Sequence, residues 1–248
     1  MEAGTLVRPD SRFVTRVLAS GGSDLKRCFQ CGTCSVSCAL SPDEAPFPRT
    51  QMLHAQWGLK DRLMGDPGVW LCHNCGDCTE RFPRGARPGD VLGAIRGEVI
   101  RHHAVPGGLA RLAMSPAGLP WLLALPVLVL AAIAAWSTSD ASRLEFASVF
   151  PLATLEILFF SVAGLSVLGF AAGLVRFARS MDPGHRACIL ANLPSALALI
   201  ARHGDFCATR PALQRGHLLT FWGFVGLALI GTVVGIGSGC TSSAGFID

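Results

Sequence analysis

Residues 27–38 read RCFQCGTCSVSC, and in them Cys28, Cys31, Cys34 and Cys38 take the spacing C-x2-C-x2-C-x3-C. Three thiolates two residues apart wrap one iron–sulfur cubane, because tight turns aim successive side chains at a common centre. The fourth reaches the other cluster in two-cluster ferredoxins. Zinc sites favour paired cysteines or cysteine–histidine couples separated by a longer finger, and disulfides need an oxidising compartment. Both readings therefore rank behind iron–sulfur ligation.

Further along, WLCHNCGDCTERFPRGARPGD repeats the triad with Cys72, Cys75 and Cys78. The position four after Cys78, just before Pro83, is Phe82, which cannot ligate iron. If ligation crosses, Cys38, Cys72, Cys75 and Cys78 make one complete [4Fe-4S] site. Cys28, Cys31 and Cys34 then hold a second cluster, [4Fe-4S] or [3Fe-4S], that is one thiolate short. Such a site loses an iron, takes water or another ligand, or fails to assemble. Cys188 or Cys207 is either a substitute thiolate or an ordinary thiol, and His73 reads as a neighbour of the ligands.

The sequence around these loops is patterned for helices. FPRTQMLHAQWGLKDRLM carries an apolar stripe of Met52, Leu53, Gln56, Trp57, Leu63 and Met64, interrupted but not stopped by Gly58. GDVLGAIRGEVIRHH puts Val91, Leu92, Ile95, Val99 and Ile100 on one face, with Asp90 as N-cap and Pro106-Gly107 past the end. No alternating strand pattern occurs in the first hundred residues. The expected class is all-α.

The composition belongs to two different solvents. Half of the 248 residues are hydrophobic and only 15% are charged, with a mean hydropathy of +0.45. These values exclude an ordinary soluble globular protein, a disordered chain and a nucleic-acid-binding one. Residues 1–110 hold seven of the ten cysteines and most of the charge, as a small soluble domain would. Residues 111–248 read as membrane. Spans are expected near 119–136, 151–175 and 217–236; the first reaches roughly 27 Å, about one hydrocarbon core. Residues 187–206, broken by Pro194, read as an interfacial helix.

The start of the sequence, MEAGTLVRPDSRF, lacks the apolar core of a secretory signal. Arg176, Arg179, Arg186, Arg202, Arg210 and Arg215 all fall between the second and third expected spans. The positive-inside rule then puts that loop and the cysteine domain in the cytoplasm and the C-terminus outside, making a multi-pass protein of the cytoplasmic membrane in contact with lipid. Gly169 with Gly173, and Gly231 with Gly235, either allow close helix approach or reflect the frequency of glycine in membrane helices. Glu156 is a quinone-proton group or a carboxylate at headgroup depth. Arg81, Arg84 and Arg87 favour a reduced cluster, dock an acidic partner, or simply form a solvated surface.

CFQCGTCSVSCALSPDEAPFPR, AQWGLKDRL, WLCHNCGDC and PRGARPGDVL resemble the membrane subunit, or C subunit, of the quinone-interacting membrane-bound oxidoreductase complex, itself related to the C subunit of heterodisulfide reductase. The resemblance covers roughly residues 12–110 and continues loosely through RGHLLTFWGFVG, which resembles the start of a haem-bearing helix of a cytochrome-b-like bundle. It implies an α-helical ferredoxin domain with two four-iron clusters, fused to membrane helices that bind haem b and meet menaquinone or another quinone. It also implies soluble flavin and iron–sulfur partner subunits and electron exchange with adenylylsulfate reductase in anaerobic sulfur metabolism. Phe82, Ala39 in place of a proline, and a membrane part of three spans depart from that pattern. His217 is a haem b ligand by this resemblance or an interfacial histidine beside Arg215; His102 and His103 are weaker candidates to pair with it. The expected function is a membrane-bound electron-transfer subunit. An iron–sulfur redox sensor, a non-catalytic membrane anchor and a zinc-binding adaptor are the alternatives.

Overall fold

The computed structural model describes residues 8–137, 149–202 and 211–242, and every regular element among them is helical. The described residues form two compact units, one of residues 8–125 with 166–182 and one of residues 126–165 with 183–242.

In the first unit, helix α1 (Ser11–Ala19) starts where the extended backbone of Asp10 lets its carboxylate accept the Phe13 N–H at 2.9 Å. This helix buries Phe13 and Val17. Helix α2 (Thr33–Ser37) follows the first cysteine loop. Helices α3 (Arg49–Gln56) and α4 (Lys60–Met64) are separate, which corrects the expectation of one stripe running through Gly58. Gly58 sits at φ +66°, its carbonyl accepts the Asp10 N–H at 2.9 Å, and a Cβ there would stand 3.0 Å from the Asp10 backbone. Only glycine combines that conformation with so close an approach.

Helix α5 (Asp77–Glu80) follows the second cysteine loop, and helix α6 (Pro88–His103) is the axis of the core. Pro88 occupies the first turn, where its missing N–H costs nothing, and Arg101, His102 and His103 face the negative end of the helix dipole. Val91, Leu92, Ile95 and Val99 are buried as the stripe predicts, against Phe13, Val17, Met52, Leu63 and Val69. Each such side chain contributes about 1.5–3 kcal/mol on burial. Two details differ. Ile100 is half exposed, and the cap position is Arg87, with Asp90 in the first turn 3.5 Å from the Arg87 guanidinium. Helix α7 (Gly107–Ala113) then leads toward the first apolar helix.

The apolar helices are α8 (Leu119–Ser137), α9 (Leu152–Ser180), α10 (Pro183–Arg202) and α11 (Pro211–Ser242). Four segments, not three, are long and apolar enough to cross a membrane: Leu119–Trp136, Ala153–Ser180, Pro183–Ala201 and Arg215–Val234. The added one is the segment expected to lie at the interface. Its helix continues through Pro194, as α8 continues through Pro126. In apolar surroundings a helix remains the cheapest way to satisfy the backbone even with one N–H missing.

The last four turns of α9 belong to the first unit. Phe177 packs edge-on against Trp70 at 6.1 Å and His103 at 5.4 Å. Arg176 donates to the carbonyls of His102 at 3.0 Å and Ala104 at 3.4 Å, at the C-terminal end of α6. Gly169 and Gly173 face the same segment: a Cβ on Gly169 would stand 2.7 Å from the Val105 carbonyl oxygen, and one on Gly173 3.3 Å from that of His103. This glycine pair therefore lets α9 approach the cysteine domain. A Cβ on Gly231 would meet nothing within 4 Å.

In the second unit, the Trp222 Nε1–H donates to the Ala201 carbonyl at 3.4 Å, joining α11 to the end of α10. Leu219, Phe224, Leu227 and Val233 stand exposed along α11. An apolar surface of that extent belongs against lipid or protein rather than water.

Candidate iron–sulfur centre

The two cysteine loops, CFQCGTC and CHNCGDC, adopt the same turn. Gln30 (φ +63°) and Asn74 (φ +58°) occupy the left-handed region between the first and second cysteine of each triad, and Gly32 (φ +80°) and Gly76 (φ +94°) follow the second. Each glycine then caps a short helix, α2 or α5, and these two helices pack together. A non-glycine residue at positive φ is uncommon, so its occurrence at matching positions of both loops marks a built repeat.

Side chains from the helical core hold both loops. Gln56 Nε2 donates to the carbonyl of Cys28 at 2.6 Å, and Gln56 Oε1 accepts from Gln30 Nε2 at 2.6 Å. In the second loop, Arg96 donates to the carbonyl of Cys72 at 2.9 Å. One clamp is neutral and the other cationic. The loops also point donors at sulfur: Gln30 Nε2 lies 3.5 Å from Cys28 Sγ, and the Asn74 N–H lies 3.4 Å from Cys72 Sγ.

The thiols differ in their surroundings. The Thr33 hydroxyl and N–H beside Cys31, which is exposed, hold its thiol below the ordinary value. Burial pushes Cys34 up to about 11, with Cys28, Cys78 and Cys31 nearby adding to the effect. Burial also raises Cys78, followed by Cys72, Cys75 and Cys38. Cys34 thus senses the first triad and Cys78 the second, and each senses a sulfur of the other motif.

Cys38 lines one cavity together with Cys72, Cys75 and Cys78, while Cys28, Cys31 and Cys34 are not part of that lining. Among the described residues, no three of His, Cys, Asp or Glu gather closely enough for a single metal ion. Four thiols arranged around one cavity suit the ligation of an iron–sulfur cluster. Phe82 is only 6% exposed and packs edge-on against Phe29 at 6.3 Å. The Arg84 guanidinium stands 5.8 Å over the Phe29 ring. His73 is exposed, as are Arg81 and Arg87.

Residues 24–86 match the model of the 4Fe-4S dicluster domain. The chain is 40% identical over 93 residues to the C subunit of the H2:CoB-CoM heterodisulfide,ferredoxin reductase of Methanothermobacter thermautotrophicus, an alignment covering 37% of this chain and 50% of that relative. It is 35% identical over 91 residues to a protein of Archaeoglobus profundus described as like the C subunit of heterodisulfide reductase, covering 36% of this chain and 48% of the relative. The N-terminal domain is related to the C subunit of heterodisulfide reductase. A third relative, the C subunit of the ferredoxin:CoB-CoM heterodisulfide reductase of Methanosarcina mazei, is 32% identical over 97 residues, with 37% of this chain and 56% of the relative covered. The chain spans about half the length of the curated relatives it matches. The match to a 4Fe-4S dicluster domain indicates iron–sulfur clusters in this region.

The clamps Gln56 and Arg96 escape a reading of motifs, because each lies far along the chain from the loop it holds. The twin turns leave a signal, since CFQCGTC and CHNCGDC align residue for residue. A second feature escapes the sequence entirely. Two residues before Cys72, Trp70 lines an apolar cleft of about 610 Å³ with Val99, His103, Gly169, Phe170 and Phe177. His103, 7% exposed, has its Nε2 2.9 Å from the Met64 carbonyl. A carbonyl only accepts, so that nitrogen carries the hydrogen.

The remaining candidates lie apart from the cysteine loops in sequence. His217 is exposed in the second turn of α11, and Glu156 is half-buried in the second turn of α9. Cys188 is exposed on α10, 3.4 Å from Asn192 Nδ2; Cys207 falls outside the described residues.

Proposed function

We propose that the chain is the membrane-inserted electron-transfer subunit of a larger oxidoreductase, relaying electrons between quinone in the bilayer and soluble flavin and iron–sulfur subunits. One observation carries this reading. Trp70, in the apolar cleft, and Cys72, in the thiol-lined cavity, are two residues and at most about 7 Å of chain apart. The other wall of the cleft is a helix apolar enough to cross a membrane.

When bound, the clusters supply one-electron transfer in which no substrate bond breaks. The residues of this chain hold and tune them. Cys38, Cys72, Cys75 and Cys78 form one four-thiolate site, Cys28, Cys31 and Cys34 a second that is one thiolate short, and Gln56 and Arg96 fix the loops. Trp70, Phe170 and Phe177 offer flat apolar walls to a quinone ring, and His103 is the proton-handling group beside it. The exposed Arg81, Arg84 and Arg87 present a basic surface to an acidic soluble partner. By family resemblance, that side leads to adenylylsulfate reductase and anaerobic sulfur metabolism.

Four crossings change the topology expected from three. They leave Arg176, Arg179 and Arg186 flanking the turn between α9 and α10, and Arg202, Arg210 and Arg215 flanking the next connection. Arg143, between α8 and α9, falls on the side of the second set, so the connections carry three arginines on one side and four on the other, and loop charge no longer selects an orientation. The cytoplasmic placement of the cysteine domain rests instead on its clustered thiols, which persist in a reducing compartment, and the C-terminal end of α11 returns to that side. Within the unit that holds His217, the other described histidine, His185, starts α10, whose far end is the one joined to α11. Sixteen residues of helix, roughly 24 Å, separate the two levels. His185 is therefore not the second ligand of the haem b that the family resemblance implies at His217.

The test is anaerobic purification of the full chain in detergent, iron and sulfide counts, and low-temperature electron paramagnetic resonance before and after addition of a quinol analogue. Seven to eight irons per chain and quinol-dependent reduction are expected. Stoichiometric zinc without iron would overturn the reading. Iron that quinol fails to reduce would favour a redox sensor, for which the three-thiolate site is the supporting feature.

A further inference from the structure

On the side of the core where α6 ends, Arg16, Lys60, Arg101, His102 and Arg111 surround a cavity of about 480 Å³ with Glu98. Glu98 is 5% exposed and is held by Arg16 at 2.8 Å and by Arg101. A guanidinium has five N–H donors, and Glu98 takes one from each arginine. The other donors stay available to a ligand rich in acceptor oxygens. Arg176 and Asp61 also lie within electrostatic reach of His102, and Asp10 within reach of Arg16 and Lys60. Five permanent cations thus gather with three carboxylates. Burial holds the His102 imidazole below its usual value, with His103, Lys60 and Arg176 adding to the effect.

The position of the cavity narrows the ligand. Arg101 and His102 end α6, Arg111 lies on α7 eight residues before α8 begins, and Arg176 of α9 binds the carbonyls of His102 and Ala104. The cavity therefore sits where two apolar helices meet the domain. Leu109, Leu112 and Met114 stand exposed beside Arg111. Charged side chains make up the lining, with no aromatic wall of the kind a nucleobase would stack on.

We propose that this cavity binds the phosphate headgroup of an anionic phospholipid, whose acyl chains lie along Leu109 and Leu112. The guanidinium groups of Arg16, Arg101 and Arg111 offer paired donors to phosphate, and Lys60 adds a point charge. Basic pockets at the polar edge of membrane helices are suited to such headgroups. The bound lipid ties the domain to the leaflet at the level where α8 and α9 enter it. This inference rests on the reading that α8 and α9 cross a bilayer.

Native mass spectrometry of the full chain in detergent, titrated with phosphatidylglycerol or phosphatidylcholine, tests it. Retention of phosphatidylglycerol above phosphatidylcholine is expected, by about fivefold for each engaged cation. Arg111→Gln, at an exposed position, should lose about fivefold, and Lys60→Gln with Arg111→Gln about 25-fold. Arg84→Gln, beside the cysteine loops, should retain the preference. Millimolar inorganic phosphate should leave the adduct intact. Equal retention of the two lipids, an unchanged preference in Arg111→Gln, or displacement by free phosphate would each overturn the proposal. Circular dichroism verifies that the variants fold. Retention of the chain in carbonate-washed membranes separately tests the crossing itself, so failure of the membrane reading is told apart from failure of the lipid site.

Discussion

Replacing Phe82 with cysteine asks whether the two triads share their fourth ligands across the motifs. The wild-type ring is almost fully buried and packs edge-on against Phe29 at 6.3 Å. Removing a buried phenylalanine costs about 3–5 kcal/mol, and a cysteine keeps part of that volume, so Phe82→Cys should lose about 2–4 kcal/mol in cluster-free protein. For a domain of this size that lowers the melting temperature by roughly 10–20 °C. Cluster loading should reverse the loss, because the eighth thiolate completes the site of Cys28, Cys31 and Cys34. Iron and sulfide analysis of anaerobically reconstituted protein should then show about one more iron per chain than wild type. A three-iron resonance signal in the oxidised wild type should vanish in the variant. In the complementary experiment, Cys38→Ser should impair the cluster of Cys72, Cys75 and Cys78 and leave the first triad loaded. Equal iron content and an identical oxidised spectrum in wild type and Phe82→Cys would refute crossed ligation.

Gly169→Ala should destabilise the docking of α9 by about 1–3 kcal/mol, since its Cβ would stand 2.7 Å from the Val105 carbonyl. Gly164→Ala, where a Cβ meets nothing within 4 Å, should be neutral or slightly stabilising in the same thermal melts. Arg96→Gln keeps a donor to the Cys72 carbonyl but removes the charge, and should lower the midpoint potential of the Cys72 cluster by tens of millivolts in a redox titration; an unchanged potential would show that the clamp acts by geometry alone. Burial holds His54 below its ordinary value, and its Nδ1 is buried without a hydrogen-bond partner. Its folded-state value is depressed, so stability is fully present above about pH 6.5 and falls as pH drops through the folded-state value. His54→Gln should flatten that decline in melts between pH 7.5 and 5, and an unchanged slope would assign the decline to other groups.

Cysteine spacing and helical periodicity are local properties, which is why both triads, the all-helical class and the buried face of α6 are legible from residues alone. Phe82 is equally visible, as a single substitution in a repeated motif. Sequence and structure part where a distant partner decides the outcome. Gly58 leaves the helical conformation at positive φ, and the Asp10 backbone occupies the space a Cβ there would need; nothing near Gly58 in sequence announces that contact. Pro194 resembles a break because propensity in water penalises it, whereas its helix is apolar enough to need its internal hydrogen bonds. Gly169 and Gly173 have the spacing of a lipid-buried helix contact, yet the surface they meet is the carbonyl edge following α6. Gln56 and Arg96 carry no motif at all, and only folding brings them to the cysteine loops.

Helix α9 has a consequence for how the protein can evolve. Its 29 residues extend about 43 Å, of which the stretch before Gly169 makes up about 25 Å and the stretch from Gly169 onward carries the surface that grips the domain. In a continuous helix, residue count sets length and bearing together. One residue inserted between Glu156 and Gly169 would turn the glycine face by about 100° and abolish the grip. Four would restore the bearing to within about 40°. Insertions and deletions in this helix are therefore expected to survive in steps of three or four.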